Sequence, residues 1–127
     1  MGMTAYLKDQ ILGATLLGTP WTAPNTVYIS LATSANSLGT VFNEVSAFSY
    51  SRKNYRCTAP NSFGCSNAST ISFGTALETW GIARHVGIWD APTGGNMLYL
   101  YRLSGTGRKI IPGQAVLINS ASFTVQL

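Results

Sequence analysis

Few residues in this chain could do chemistry, and their spacing does not favour catalysis. The only acids are Asp9, Glu44, Glu78 and Asp90. They do not share one strand or helix face, so the sequence offers no carboxylate pair for acid–base catalysis. His85 is the sole histidine and no Gly-x-Ser-x-Gly motif accompanies it, which favours a hydrogen-bonded structural role. The sequence therefore predicts no catalytic residue and no enzymatic activity.

Metal and cofactor sites lack the residues that they need. Two cysteines and one distant histidine fall short of the four ligands that a structural zinc site takes. The segment Gly105-Thr106-Gly107-Arg108-Lys109 has the composition of a phosphate-binding loop. It lacks the Walker spacing and a following helix, so a hairpin turn with basic ends is favoured. We expect neither a metal nor a cofactor.

The two cysteines leave two alternatives open. Cys57 and Cys65 enclose the turn-rich segment Thr-Ala-Pro-Asn-Ser-Phe-Gly, which could bring their Cα atoms to bridging distance if it closes a hairpin. Two free thiols are the favoured alternative in a reducing cytoplasm. A disulfide becomes the better expectation if the protein ends up in a particle exposed to oxidising surroundings.

Length and composition predict one domain over residues 1–127 with a neutral polar surface. A chain of 127 residues can bury a core of its own. Charged residues make up 9% of the sequence, against ~25% in typical proteins, so copies of the chain repel one another little. The net charge of +4 is spread along the chain. Its one basic cluster, Ser51 to Arg56, is interpreted as a solvated strand edge, and no nucleic-acid partner is expected.

The beginning of the chain carries no targeting signal. Met1 to Thr4 lacks the basic and small-residue features of a secretory signal peptide. No run of ~18 apolar residues is present to span a bilayer. We therefore expect synthesis in a cytoplasm and no membrane partner.

The elements that position these residues are organised around Trp80 to Leu103. Ile82 to Trp89 and Asn96 to Leu103 are rich in β-branched and aromatic residues, and the Pro and Gly residues between them predict a β-hairpin. The second strand is apolar on both faces, so either a second sheet and a loop or a neighbouring subunit must cover it. The predicted oligomer interface consists of Tyr99, Leu100, Tyr101 and Trp89.

The rest of the chain predicts short elements separated by turns. Residues 5–17 have the spacing of one short amphipathic helix, with Thr4 as N-cap and Gly18 as C-terminal stop. Strands are predicted at Thr26 to Ala32 and at Phe48 to Arg56, with an exposed loop over Thr33 to Thr40 between them. In the last strand, one face carries Ala121, Phe123, Val125 and Leu127.

These elements together predict the fold class. Turns recur about every eight to twelve residues between short strands, which is typical of antiparallel architectures rather than parallel α/β sheets. The prediction is an all-β fold, an antiparallel β-sandwich or jelly-roll, with one short N-terminal α-helix.

Pieces of a recognisable pattern run through nearly the whole chain. The central pieces are His85-Val86-Gly87-Ile88-Trp89-Asp90-Ala91 and Gly94-Gly95-Asn96-Met97-Leu98-Tyr99. Further pieces follow in order, namely Ala5-Tyr6-Leu7, Pro24, Val27-Tyr28-Ile29-Ser30-Leu31, Glu44-Val45-Ser46, Tyr50-Ser51-Arg52, Phe73 and Trp80-Gly81. With these pieces the chain resembles small structural proteins of tailed bacteriophages, of the head-decoration (cement) or tail-fibre-like kind. The segment Cys57 to Cys65 departs from the pattern, so no role carries over to that loop.

The resemblance implies a non-enzymatic virion protein made in the host bacterial cytoplasm. The main expectation is a capsid decoration (cement) protein that docks on the major capsid protein and stabilises the head lattice as a homo-oligomer, expected to be a trimer. Met1 to Leu17 and Thr33 to Thr40 are its predicted docking elements.

The alternative is a tail or tail-fibre component with tail proteins as partners, including a receptor- or glycan-binding head. Such a head would use exposed aromatic residues, for which Trp21, Tyr55 and Trp89 are the candidates. A position in the core or in a subunit interface is the favoured interpretation of these three residues.

Overall fold

Short antiparallel strands dominate the structure, a computed structural model that describes residues 2–120 and 122–126. The strands are β1 (Gly2–Met3), β2 (Val27–Ala35), β3 (Phe42–Glu44), β4 (Lys53–Tyr55), β5 (Gly64–Ser66), β6 (Ile71–Thr75), β7 (Gly81–Ala83), β8 (His85–Trp89), β9 (Met97–Arg102), β10 (Arg108–Ile110), β11 (Ala115–Ile118) and β12 (Thr124–Gln126). One helix, α1 (Ala5–Leu12), precedes β2. The predicted all-β antiparallel fold with a short N-terminal helix is confirmed.

The largest sheet has the order β1-β9-β8-β2-β3, and β4 pairs with the first part of β2 beside β3. The predicted central hairpin is confirmed as β8 and β9. Within it Gly87 faces Leu100 and Ile88 faces Tyr99, and the register shifts between Ile88 and Trp89. This hairpin and β2 form the middle of the sheet, where backbone groups are paired on both sides.

Three two-stranded ladders lie outside the sheet, and one of them shares a continuous stretch of chain with it. The ladders are β7 with β10, β6 with β11, and β5 with β12. Ile82 to Trp89 was expected to be one strand, but it divides at Arg84. The Arg84 amide donates to the Ala32 carbonyl at 2.8 Å, and its carbonyl accepts from the Leu103 amide at 2.8 Å. The chain therefore changes from ladder to sheet at one residue whose backbone groups stay paired.

The hydrophobic core lies between the large sheet and the ladders. The sheet contributes Ile29, Leu31, Val86 and Ile88, and the ladders contribute Ile71, Phe73, Ala83, Ile110, Val116 and Val125. Tyr50 stacks on Phe73 with ring centroids 6.0 Å apart and meets Trp80 edge-on at 5.4 Å. Two layers that enclose one core are the arrangement of a sandwich.

The opposite face of the sheet is built from small residues and covered by the N-terminal segment. Ser30, Ala32 and Gly87 lie on this face because side chains alternate along a strand. A Cβ at Gly87 would come within 3.0 Å of Met97 Sδ, Phe42 Cζ and Ser30 Oγ, so glycine allows this close packing. The Thr4 hydroxyl donates to the Met97 carbonyl at 2.6 Å and thereby holds the start of α1 on β9.

The helix has the predicted limits, but not the predicted amphipathic contact. Thr4 is the N-cap, its hydroxyl accepting from the Leu7 amide at 3.3 Å. The α-helix continues as a π-helical turn over Gly13–Leu17, and Gly18 ends it in a left-handed conformation with φ of 69°. Leu7 is buried, whereas Leu12, Leu16 and Leu17 are exposed. Only the first part of the helix therefore contacts the sheet.

Other predicted elements change in length. The strand expected over Phe48 to Arg56 is limited to β4, and β2 runs to Ala35, so it includes the first residues of the predicted loop. The Asn36 side chain accepts from the amides of Thr40 and Val41 at 3.0 and 3.1 Å and orders the rest of that loop. In the last strand Val125 is buried. Ala121 and Leu127, and Met1 of the predicted docking segment, lie outside the described residues.

Candidate interaction surfaces

The predicted oligomer interface on β9 is largely covered within a single chain. Leu100 is 1% exposed and shares the face of Gly87, so a single chain leaves it almost no surface for a contact with another subunit. Tyr99 and Tyr101 are half-buried against the core, and the Tyr101 ring meets Phe123 edge-on at 5.6 Å. Within a single chain, β9 is covered on the side of Leu100 and partly covered on the side of Tyr99 and Tyr101.

Trp89, the fourth residue of that interface, takes part in a network around Arg52. The guanidinium of Arg52 lies over the Trp89 ring, with 3.9 Å between Cζ and the ring centroid. Its Nε and Nη2 atoms donate to the Glu44 carboxylate, each at 2.9 Å. Its Nη1 atom donates to the carbonyls of Ala91 and Gly94 at 2.9 and 2.8 Å. Arg52 therefore fastens the β8–β9 turn to β3.

This network corrects the interpretation of Arg52 as part of a solvated basic edge. Its side chain is only 6% exposed. The Tyr50 hydroxyl completes the network, because it donates to Glu44 Oε2 at 2.8 Å and accepts from the Leu31 amide at 3.0 Å. Burial, and then the nearby Glu44 carboxylate, raise the pKa of Tyr50 far above its usual range, so the hydroxyl keeps its proton.

A shallow groove of about 340 Å³ lies beside this network. Its lining includes Glu44, Arg52 and the turn from Pro92 to Gly94. The two charged side chains of the lining are paired with each other, so neither is left to act on a ligand. The charged residues of the groove therefore connect β3 with the β8–β9 turn and are not arranged to bind a ligand.

The remaining residues that could act in catalysis or bind a metal lie apart from one another. His85 is buried in the sheet, and its Nδ1 atom has no hydrogen-bond partner among the described residues. Burial, and then the charges of Arg102 and Arg84, lower its pKa. Within residues 2–120 and 122–126, no group of three or more His, Cys, Asp or Glu side chains could hold a metal ion.

Glu78 orders the turn before β4. Its Oε1 atom accepts from the Ser49 amide at 3.0 Å and from the Ser49 hydroxyl at 2.7 Å. Burial raises the pKa of Glu78, but the hydrogen bonds from Ser49 and Trp80 outweigh it and lower the pKa below its usual value. Trp80 Nε1 also donates to the Ser49 hydroxyl at 3.0 Å, which ties the turn to the core.

The aromatic residues named for a glycan-binding head occupy other environments. Tyr55 is buried, and its ring meets Phe123 edge-on at 5.8 Å. Burial raises the pKa of Tyr55 to about 12. Trp89 is half-buried under Arg52, and Trp21 is half-buried in the loop after the helix. None of the three is an exposed platform.

The cysteine-bounded loop forms a closed hairpin. Cys57 and Cys65 are joined by a disulfide, with their Cα atoms 5.8 Å apart, so the structure differs from the expectation of free thiols. Cys57 pairs with Asn67, and Asn61 pairs with Gly64, which brings the two sides of the loop together. At its tip Ser62 and Phe63 have positive φ values of 51° and 68°. Phe63 is 82% exposed there.

A second exposed apolar feature is the end of the N-terminal helix. Leu12, Leu16 and Leu17 are 54%, 77% and 83% exposed and are called the leucine patch below. Leu12 and Leu16 are four residues apart, which makes them neighbours on a helix surface, and Leu17 follows Leu16 directly. The described residues contain no helix that is both long and apolar enough to cross a membrane.

Comparison with known proteins adds a family to this geometry. The family model described as "Podophage GP4 fiber I protein gp80" matches residues 2–126, which includes every strand from β1 to β12. No curated protein sequence matches the chain significantly. The family match confirms the resemblance to phage structural proteins and favours the tail-fibre alternative over capsid decoration. The chain belongs to the family of the podophage GP4 fiber I protein gp80.

Proposed function

We propose that the protein is a non-enzymatic fibre subunit that self-associates through the leucine patch and joins the virion through tail proteins. The observation that carries the proposal is the exposure of Leu12, Leu16 and Leu17 at the end of a helix whose beginning is fixed to the sheet. Tail proteins are the partners that family membership supports, in place of the major capsid protein.

The leucine patch supplies the free energy for association. Burying an exposed leucine side chain contributes about 1.5–3 kcal/mol, and three of them on each copy offset part or all of the entropy cost of association. The leucine patch thus has the composition of a helix–helix contact.

A second copy of this chain is the occupant that the charges favour. The helical segment carries one positive and one negative side chain, Lys8 and Asp9, so two such segments meet without net repulsion. This holds even though each chain has a net charge of +4. We propose a closed homo-oligomer, because closed symmetry buries the same patch on every subunit. The trimer expected from the sequence stays a prediction.

The separation of the polar groups supports a role without catalysis. Glu44 is paired with Arg52, and Glu78 is bonded to Ser49. Asp90 accepts from the Asn96 amide at 2.7 Å within the β8–β9 turn. Each of these carboxylates orders a turn or joins two segments.

The test compares a charged substitution in the leucine patch with a matched one elsewhere. In the Leu16→Asp/Leu17→Asp variant both side chains are exposed, so circular dichroism should be unchanged while light scattering shows a monomer. Phe48→Asp, at a residue that is 82% exposed outside the helix, should still form oligomers. A wild-type protein that stays monomeric at high concentration, or a double variant that assembles normally, contradicts the proposal.

The virion partner is tested separately. Purified protein should co-sediment with tails prepared from particles that lack it, and not with tail-free heads. Co-sedimentation with heads alone would return the function to capsid decoration.

A further inference from the structure

We propose that the arginine pair, defined as Arg84 and Arg102, binds a carboxylate-rich segment of another virion protein. This inference rests on the proposed function, because it names the chemistry by which the fibre subunit would recognise a tail protein. Both side chains reach the surface, since Arg102 is exposed and Arg84 is half-buried. The pair lies at the open end of the central hairpin, away from the turn that Arg52 fastens.

The central hairpin brings the two arginines together around His85. Arg102 faces His85 across the β8–β9 ladder, and Arg84 directly precedes His85. The Arg84 carbonyl also accepts from the Leu103 amide at 2.8 Å, so Arg84 is bonded to the residue that follows Arg102. Burial, and then the charges of Arg102 and Arg84, lower the pKa of His85. Both guanidinium groups therefore lie close enough to act on the same imidazole.

No carboxylate balances these two charges in the described part of the chain, where the one ion pair joins Arg52 to Glu44. The Arg84 guanidinium donates through Nη1 to the Thr33 carbonyl at 3.3 Å. Its Nε and Nη2 atoms, and the whole Arg102 guanidinium, have no acceptor within residues 2–120 and 122–126. Most of the donors of the arginine pair are therefore available to a ligand.

The contrast with Arg52 indicates that the arginine pair does not serve the fold. The Arg52 side chain is 6% exposed and has both a carboxylate and two carbonyls as partners. Two like charges beside a buried imidazole repel each other, which lowers the stability of the chain on its own. Guanidinium groups bind carboxylates through paired, charge-assisted hydrogen bonds, so an external carboxylate would remove this repulsion.

The backbone holds the arginine pair in place before a ligand binds. The Arg84 amide donates to the Ala32 carbonyl at 2.8 Å, while its carbonyl is bonded to Leu103. Arg102 is the last residue of β9 and is paired with His85 of β8. Since the backbone is already ordered at both arginines, binding incurs no cost for ordering it.

The acidic groups are better supplied by another protein than by a second copy of this chain. Glu44, Glu78 and Asp90 each accept hydrogen bonds within their own chain. The remaining acid, Asp9, lies beside Lys8 in α1. A nucleic acid fits less well, because its binding surfaces usually carry a longer basic stripe with interleaved aromatic side chains.

The test removes two positive charges at the arginine pair and two elsewhere. Arg84→Gln/Arg102→Gln loses one protein contact, the bond to Thr33, so its circular dichroism should match that of the wild type. Lys53→Gln/Arg56→Gln removes the same net charge from the segment around β4 and is the matched control. If the first variant does not fold, Arg102→Gln alone takes its place, because Arg102 is exposed.

The first probe is a short oligo-glutamate peptide, compared with oligo-glutamine and with a single-stranded oligothymidylate of equal charge. His85 is the only histidine, so its imidazole NMR signals report binding beside it without overlap. At constant neutral pH and low salt, oligo-glutamate should shift these signals and oligo-glutamine should not. The affinity for oligo-glutamate should fall about fivefold or more in Arg84→Gln/Arg102→Gln and remain near that of the wild type in the matched control.

The second probe is tails prepared from particles that lack the protein. Wild-type protein and the matched control should co-sediment with these tails and be released by salt at about 0.5 M, because salt screens the attraction between exposed charges. The arginine-pair variant should co-sediment about fivefold less at low salt. Light scattering should show that this variant still self-associates, since its leucine patch is intact.

The proposal is overturned if oligo-glutamate leaves the His85 signals unmoved, if oligothymidylate binds more tightly than the peptide, or if the two double variants bind tails equally. Wild-type protein that binds oligo-glutamate but not tails supports the carboxylate site and contradicts the tail attachment of the proposed function. Wild-type protein and arginine-pair variant that bind tails equally support the tail attachment and contradict the carboxylate site. The two failures are therefore distinguishable.

Discussion

Arg52 and Trp89 form a stacked pair in which the guanidinium lies 3.9 Å from the centre of the indole ring. The same guanidinium bonds to Glu44 and to the carbonyls of Ala91 and Gly94. One side chain thus connects β3, the end of β8 and the turn that leads into β9. Arg52 thus fixes the position of the central hairpin turn relative to β3, while Asp90 and Asn96 hold the turn closed from within.

Replacing Arg52 should destabilise the fold. In Arg52→Met the Glu44 carboxylate loses its partner in a poorly solvated place, so we expect a loss of about 2–4 kcal/mol in the free energy of unfolding. Urea denaturation followed by tryptophan fluorescence measures it. Arg56→Met, at an exposed arginine of the same segment, should change stability by less than about 0.5 kcal/mol. Equal stability of the two variants would contradict the role given to Arg52.

Stability should fall in mildly acidic solution because of His85. Its pKa is lowered in the folded chain, so the unfolded chain takes up the proton first as the pH drops below 6.5. The free energy of unfolding is therefore not reduced by His85 above pH 6.5. It decreases progressively as the pH falls from 6.5 toward the pKa of His85 in the folded chain. The urea midpoint should be lower at pH 5.5 than at pH 7.5, and His85→Gln should reduce that difference. An unchanged difference in the variant would assign the effect to other groups.

Leu100 should behave as a core residue and not as an interface residue. Leu100→Ala removes buried methyl groups next to Gly87, and we expect a cost of about 2–5 kcal/mol. Because the contact is internal, the loss should be the same at low and high protein concentration. A loss that grows with protein concentration would restore the interface role. Leu12→Ala, in the leucine patch, is the control and should alter oligomer stability only.

The disulfide should stabilise the protein measurably. A disulfide that closes a loop of this length lowers the conformational entropy of the unfolded chain, which raises the free energy of unfolding by about 2–3 kcal/mol. Cys57→Ser/Cys65→Ser should therefore lower the free energy of unfolding by that amount. Mass spectrometry of unreduced protein tests the bond itself, and two free thiols in intact particles would remove it. The hairpin between the two cysteines should also become more protease-sensitive in the double variant.

Elements with local signals were predictable from the sequence. Thr4 and Gly18 limit the helix because capping depends on residues within one turn. The hairpin of β8 and β9 follows from Pro and Gly between two β-rich segments. The alternation of Ile29 and Leu31 likewise identifies the core face of β2, because period-2 burial needs no knowledge of the partner strands.

Features that depend on distant contacts were not predictable. The sequence indicates that Arg52 lies on a solvated strand edge, because the contacts with Glu44 and the Ala91 carbonyl come from distant parts of the chain. The leucines of the N-terminal helix have helical spacing, but this spacing does not indicate which of them contact the sheet. Phe63 had a weak signal, an aromatic residue within a turn-rich loop between two cysteines, and only the backbone conformation shows that it is displayed.

The division of one stretch of chain at Arg84 affects how the molecule comes apart. Gly81 to Ala83 belongs to a ladder and His85 to Trp89 to the sheet, with a single residue between them. If the strands of one layer lost their structure, the strands of the other layer would be disturbed through Arg84, because no flexible linker separates β7 from β8. We therefore expect the two layers to lose structure together in one cooperative transition, with equal calorimetric and van't Hoff enthalpies.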